Sequence, residues 1–177
     1  QATILASAAS YTVDLPASIA ANNILIAYLS VEGDAINPGW PAGWTQLYSE
    51  LNSTFVGSAA WRRATGSEGA SITVTTGDSG AHKAQATVER ITGANLTSPP
   101  EAASSNSGAT TAAPNPPNLA PTWGSANNLY IAVAQRRSDA VSVSAYPASY
   151  VDNNSDNRTD GTTTGCATAL ATFATTN

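Results

Sequence analysis

The segment Ala21 to Trp44, ANNILIAYLSVEGDAINPGWPAGW, is written a second time from Ala126 to Tyr150 as ANNLYIAVAQRRSDAVSVSAYPASY. Both copies open with Ala-Asn-Asn and pass through an apolar run, Ile24 to Val31 and Leu129 to Ala134. Both end in aromatic-Pro-Ala-small-aromatic, Trp40 to Trp44 and Tyr146 to Tyr150. Ala21 and Ala126 lie 105 residues apart, and Pro41 and Pro147 lie 106 apart, so one residue has been gained between two distant matches. A unit repeated in this way is expected to be one supersecondary element built twice. The expected fold is a single all-β domain over residues 1–177, a jelly-roll-like antiparallel β-sandwich of two internally similar halves closed around one core. The halves are about 1–97 and 123–177, joined by a Pro-rich crossover at 98–122.

Composition supports strands. Only 11% of the 177 residues are charged, against about 25% in ordinary soluble domains. Ser and Thr carry the surface, and Thr, Val, Ile and Tyr suit a pleated sheet. Strands are expected at Thr3 to Ser7, Tyr11 to Leu15, Thr45 to Ser49, Thr54 to Arg63, Ser71 to Thr76 and His82 to Thr92. Ile24 to Val31, apolar on both faces apart from Ser30, reads as a central strand covered on two sides. Six of the ten Pro residues lie between Ser98 and Thr122, which reads as an extended crossover on the surface.

Gly165 to Ala174 resembles Thr54 to Arg63 at an offset of 112, with Ala167, Ala169, Ala171 and Phe173 answering Phe55, Gly57, Ala59 and Trp61. The first half continues into two more strands, whereas the second stops at Asn177, so it is expected to lack their counterparts. The expected remedy is a strand donated at the C-terminal edge by further sequence, a neighbouring subunit or the N-terminal strand. The chain begins at Gln1 and has no Met, so a processed product or an excerpt of a longer translation product is expected.

Groups that carry chemistry are few. The net charge of −5, with Arg62-Arg63 and Arg136-Arg137 the only basic doublets, argues against a nucleic-acid face. No apolar run reaches the roughly 20 residues of a membrane helix. Cys166 is the single cysteine and reads as a small core residue. His82, the single histidine, alternates with Ala84, Ala86 and Val88 and reads as a partly buried strand residue. No catalytic residues, cofactor or enzymatic activity are assigned. In the polar loop expected after Tyr150, Asp152, Asn154, Asp156 and Asp160 have partial calcium-loop spacing. Thr163 stands where the bidentate Glu belongs and Arg158 has the wrong charge, so a solvated hairpin tip is the preferred reading. Trp40, Trp44, Tyr146 and Tyr150 offer a stacking platform for a glycan, although a Pro-Ala corner bracketed by aromatics reads more naturally as a plug over the end of each sheet.

The combination of Asn-Asn-Ile-Leu-Ile-Ala, Trp-Pro-Ala-Gly-Trp-Thr, Trp61-Arg62-Arg63-Ala64, Gly-Ser-Glu-Gly with Ile-Thr-Val-Thr-Thr, and Arg90-Ile91-Thr92-Gly93-Ala94 resembles a β-sandwich domain of tailed-bacteriophage virion structural proteins. Trp123-Gly124-Ser125-Ala126 and Ala145-Tyr146-Pro147-Ala148 extend the resemblance over most of Leu15 to Ala171. Relatives of that kind continue into further strands, a point at which this chain departs from them. The resemblance implies a non-enzymatic structural subunit, a capsid decoration or tail or fibre component, in a virion or extracellular setting. Its expected partners are copies of itself and other virion proteins. The alternatives are a carbohydrate-binding or host-adhesion module and a subunit of a cellular extracellular filament.

Overall fold

The computed structural model describes residues 2–33, 37–78, 80–105, 116–137, 148–157 and 165–174, of which 2, 4, 152–157 and 165–174 are described at the backbone only. Within these residues the secondary structure is entirely strand: β1 (Ala2–Ala8), β2 (Ser10–Asp14), β3 (Ile24–Glu32), β4 (Thr45–Asn52), β5 (Phe55–Arg63), β6 (Ser71–Thr75), β7 (His82–Ile91), β8 (Asn127–Arg136), β9 (Val151–Asn157) and β10 (Gly165–Ala174). They form an antiparallel β-sandwich with a five-stranded sheet, β1-β7-β3-β5-β4, a two-stranded sheet, β2-β6, and a three-stranded sheet, β8-β10-β9. The pairings β1 with β7, β2 with β6 and β3 with β5 are nested. Nesting of this kind results when a ribbon of paired strands is rolled up, which gives the first half its jelly-roll character.

β3 explains the layering. Ile24 to Val31 are all buried, so each face of the strand needs its own cover. Leu25, Ala27, Leu29 and Val31 face one way and pack with Val56, Ala60, Ala84, Ala86 and Val88, under Tyr11, Val13, Leu15 and Val74. Ile24, Ile26 and Tyr28 face the other way with Ala59, against Ile131 and Val133 of β8. The expected single core is thus divided in two by the five-stranded sheet. The larger cluster lies within the first half, and the smaller one joins the halves and holds both Ile26 and Ile131.

The duplication is visible in the backbone. β3-β5-β4 and β8-β10-β9 share one strand order, with the third strand of each unit in the middle. In the first unit Gln46 pairs with Ala60 and Tyr48 with Ala59, leaving Leu47 bulged. In the second unit Asp152 pairs with Ala169 and Asn154 with Thr168, leaving Asn153 bulged. Leu47 and Asn153 are 106 apart, the same separation as Pro41 and Pro147, and a bulge is an inherited feature rather than an accident of pairing. The corner before β4 repeats as well: Gly43 (φ 84°) and Ser149 (φ 71°) both adopt the left-handed conformation at matching positions.

Register corrects two expectations. Ile26 pairs with Trp61 and Ile131 with Leu170, so Leu170 answers Trp61 and the last strands correspond at an offset of 109, not 112. An error of three residues exchanges the two faces of the strand. The alternating Ala residues of β10 look the same in either frame, which is why composition did not fix it. Residues 152–157, expected in a polar loop, are the strand β9. Its string of Asp, Asn and Ser has low β-propensity, and pairing with β10 overrides that preference.

β10 lies between β8 and β9. The C-terminal strand is therefore interior to its sheet, and among the described strands β8 and β9 are the outer ones; the first unit places β7 beside the counterpart of β8. The described parts of the crossover contain neither strand nor helix. They are tied down by polar bonds: Glu101 accepts from the Thr122 amide at 3.0 Å and from its hydroxyl, and Ser104 Oγ donates to Glu50 Oε1 of β4 at 2.6 Å.

Candidate functional site

The most elaborate polar arrangement lies in the seam between the five-stranded and three-stranded sheets. Gln135, near the end of β8, directs its side chain at the backbone of β3 and β5. Its Nε2 donates to Leu29 O at 2.8 Å, with Ser30 Oγ and Ser58 O each at 3.3 Å. Its Oε1 accepts from Tyr48 Oη at 2.8 Å. The room for this comes from Gly57, where a Cβ would stand 3.0 Å from Gln135 Oε1 and 3.3 Å from its Cβ. Ser30 and Ser58 are fully buried, so the amide satisfies groups that would otherwise be costly to desolvate. Gln85 and Thr87 of β7 are also buried on this side of the sheet, paired in register with Ser30 and Tyr28.

At the outer end of the seam Arg137 Nη2 bonds Glu32 Oε1 at 2.7 Å and Nη1 bonds Thr54 Oγ1. The pair lines an open cleft of about 390 Å3 with Ser7, Thr54, His82 and Lys83. His82 Nε2 lies 2.9 Å from Asp78 Oδ2. The Thr76 hydroxyl and the His82 ring hold the Asp78 carboxyl below its ordinary value of 3.8. Histidine and carboxylate thus orient one another across the β6–β7 turn, and Tyr11 Oη fixes the strand behind them by donating to His82 O at 2.7 Å. The half-buried position expected for His82 is the one observed, with 17% of its side chain exposed. The Asp78 partnership was missed. A spacing of four residues around Gly80 was the available signal.

The aromatic residues are separated by the fold. Trp44 is 9% exposed and belongs to the larger core. Trp40 is partly buried and stacks on it, with ring centroids 6.0 Å apart and planes at 21°. A sugar platform needs an exposed ring face, and Trp44 presents none. Tyr150 is half-buried, and burial raises its hydroxyl pKa above 10.0; Tyr146 lies outside the described residues. Of the calcium candidates, Asp152, Asn154 and Asp156 sit on the extended strand β9, while Asp160, Arg158 and Thr163 lie outside the described residues. Strand geometry spreads positions 152 to 156 over about 13 Å, whereas a calcium loop curls its ligands around one point. Cys166, on β10, pairs in register with Gln135 and Asp156. Among the described residues no three His, Cys, Asp or Glu side chains converge as a metal site, and no helix is long and apolar enough to cross a membrane.

Gln135 belongs to no motif, although the sequence carries a signal for it. Ser30 and Gln135 are the polar residues that interrupt the two apolar runs at the same place in each copy. The chain matches no family model, no curated protein and no solved structure.

Proposed function

We propose that this chain is a non-enzymatic structural subunit of an extracellular assembly, a bacteriophage virion protein of the capsid-decoration or tail type, which packs through strand edges and extended segments. The observation that carries this reading is the contrast between the two copies of the repeat. In the first copy β3 is paired on both sides, by β5 and β7. In the second, β8 is an outer strand among the described residues and none of its residues is fully buried, in a molecule with few charges to keep neighbours apart. Polar groups of the seam hold the two sheets together: Gln135 keys β8 to β3 and β5, and Glu32 and Arg137 close its outer end.

The reading is tested by mass spectrometry of purified phage particles together with sedimentation velocity of the chain alone. A virion subunit is present in fixed ratio to the major capsid or tail proteins and self-associates as concentration rises. A chain that is absent from particles, remains monomeric and binds glycans on an array would be a recognition module instead.

A further inference from the structure

We infer that the seam between the two sheets contains an internal water site over β7, held by the side-chain amide of Gln85 and the hydroxyl of Thr87. The inference concerns the seam alone and stands apart from the assembly reading. Strand register supplies the frame. Gly57, Ser30 and Gln85 form one row across β5, β3 and β7, and Ala59, Tyr28 and Thr87 form the next. Tyr28 and Ala59 belong to the cluster that packs on Ile131 and Val133, so both rows face the second unit.

The two ends of these rows are treated differently. At the β5 end the Gln135 amide occupies the space over Gly57 and bonds Leu29 O, Ser58 O and Tyr48 Oη. At the β7 end Gln85 is 0% exposed and Thr87 1% exposed, yet Gln85 Nε2, Gln85 Oε1 and Thr87 Oγ1 find no hydrogen-bond partner among the described residues. β10 lies over this end of the sheet. Its positions paired with Val133 and Gln135 are Thr168 and Cys166, both short residues in a place where Gln135 spans the gap on the β5 side.

Polar atoms sealed from solvent with nothing to bond give up their hydration without return, and native interiors answer with a protein partner or ordered water. Water matches the groups present. Gln85 brings two N–H donors and a carbonyl acceptor, Thr87 brings one hydroxyl that can do either, and an internal water takes two to four such partners. The two residues stand two positions apart on one strand face, about 7 Å from Cα to Cα. The longer Gln side chain shortens that span to one a single molecule can bridge. Both side chains are closed off from the surface, which rules out a larger ligand, and an interior space stays dry only where its lining is apolar.

A high-resolution crystal structure of the full chain tests the site. The expected result is an ordered water within about 3.2 Å of both the Gln85 amide and the Thr87 hydroxyl. No such water, or a direct bond from either group to a side chain of β10, overturns the inference. Urea unfolding of Gln85→Leu, Thr87→Val and the double variant gives a second reading, because a shared water couples two groups that make no bond to each other. Each single substitution is expected to lower the folded-to-unfolded ratio about tenfold, and the double variant by about the same factor rather than about a hundredfold. Additive losses, or a gain in stability from either single substitution, would overturn the site. Thr87→Val is close in shape and keeps a β-branched residue in the strand, so that variant and the crystal structure decide the matter should Gln85→Leu fail to fold.

Discussion

Gln135 Nε2 lies 3.3 Å from Ser30 Oγ, and these two residues occupy the same place in the two copies of the repeat, 105 positions apart. The relationship recurs two residues further on, where Glu32 meets Arg137 at the same separation. Ile26 with Ile131, and Tyr28 with Val133, share one apolar cluster at that separation too. Contacts between equivalent positions arise when two like units are related by a two-fold axis. β8 therefore lies over the β3–β5 side of the larger sheet and runs the same way as β3, with β10 over β3 and β7, and the second unit covers the first as one protomer covers another in an isologous dimer.

Removing the key of the seam breaks the side-chain bonds that join the two sheets there. Gln135→Ala deprives Tyr48 Oη and the Leu29 carbonyl of their bonds, and a loss of about 1–3 kcal/mol is expected. Urea denaturation measures it through the midpoint at unchanged slope. A shift within experimental error would mean that the seam is held by its apolar part alone.

Gly57 is coupled to that residue. A methyl group there meets Gln135 Oε1 at 3.0 Å, so Gly57→Ala displaces the amide and lowers stability by about 1–3 kcal/mol. In the Gln135→Ala background the same substitution costs much less. A double-mutant cycle reads the difference, and additive effects would contradict the contact.

The turn between β6 and β7 is fixed by Gly77, whose φ is 81° and where a Cβ would overlap the Asn37 carbonyl oxygen. Gly77→Ala combines left-handed strain of about 1–2 kcal/mol with displacement of the backbone before Trp40. Gly93, with φ 70° and open space around it, pays the strain alone. Thermal melting is expected to rank Gly77→Ala well below Gly93→Ala.

Acid should weaken the fold through two carboxylates. Burial pushes the Glu68 carboxyl up, but hydrogen bonds from the Thr65 amide and hydroxyl and the Gly66 amide outweigh it and hold the group below 4.5. Asp78 is held below 3.8 by Thr76 and His82. A depressed folded value gives stability that is complete above the unfolded value and lost as pH falls through the folded one, so melting temperature drops below about pH 4.5. The Glu68 side chain is 2% exposed and that of Asp78 is 40% exposed. Glu68→Gln should therefore flatten this acid limb more than Asp78→Asn, as melting curves against pH will show.

Most strands could be read from sequence because their side-chain patterns differ from one face to the other. Ile24 to Val31 announced a doubly covered strand, and β10 was placed at its observed limits, Gly165–Ala174. What composition hid was information carried by pairing. β9 has no apolar signature, and the frame of β10 is set by hydrogen bonds to β8 rather than by its alternating Ala. The division of the interior was implicit in β3, since a strand without a polar face must be covered twice. The cover from β2 and β6 shows only a short alternation, Tyr11 and Val13, in the sequence. Of the candidate residues, Trp44 proved to be core, and the seam around Gln135 emerged only when the two copies were laid face to face.

The central claim, that one β-unit was duplicated and packed on its own copy, is tested most directly by methyl NOE spectroscopy of Ile- and Val-labelled protein. The account predicts cross-peaks from the Ile131 and Val133 methyls to the group formed by Ile24, Ile26, Tyr28 and Ala59. Contacts of Ile131 and Val133 confined to their own sheet, or directed instead to Leu25 and Leu29 on the opposite face, would contradict it.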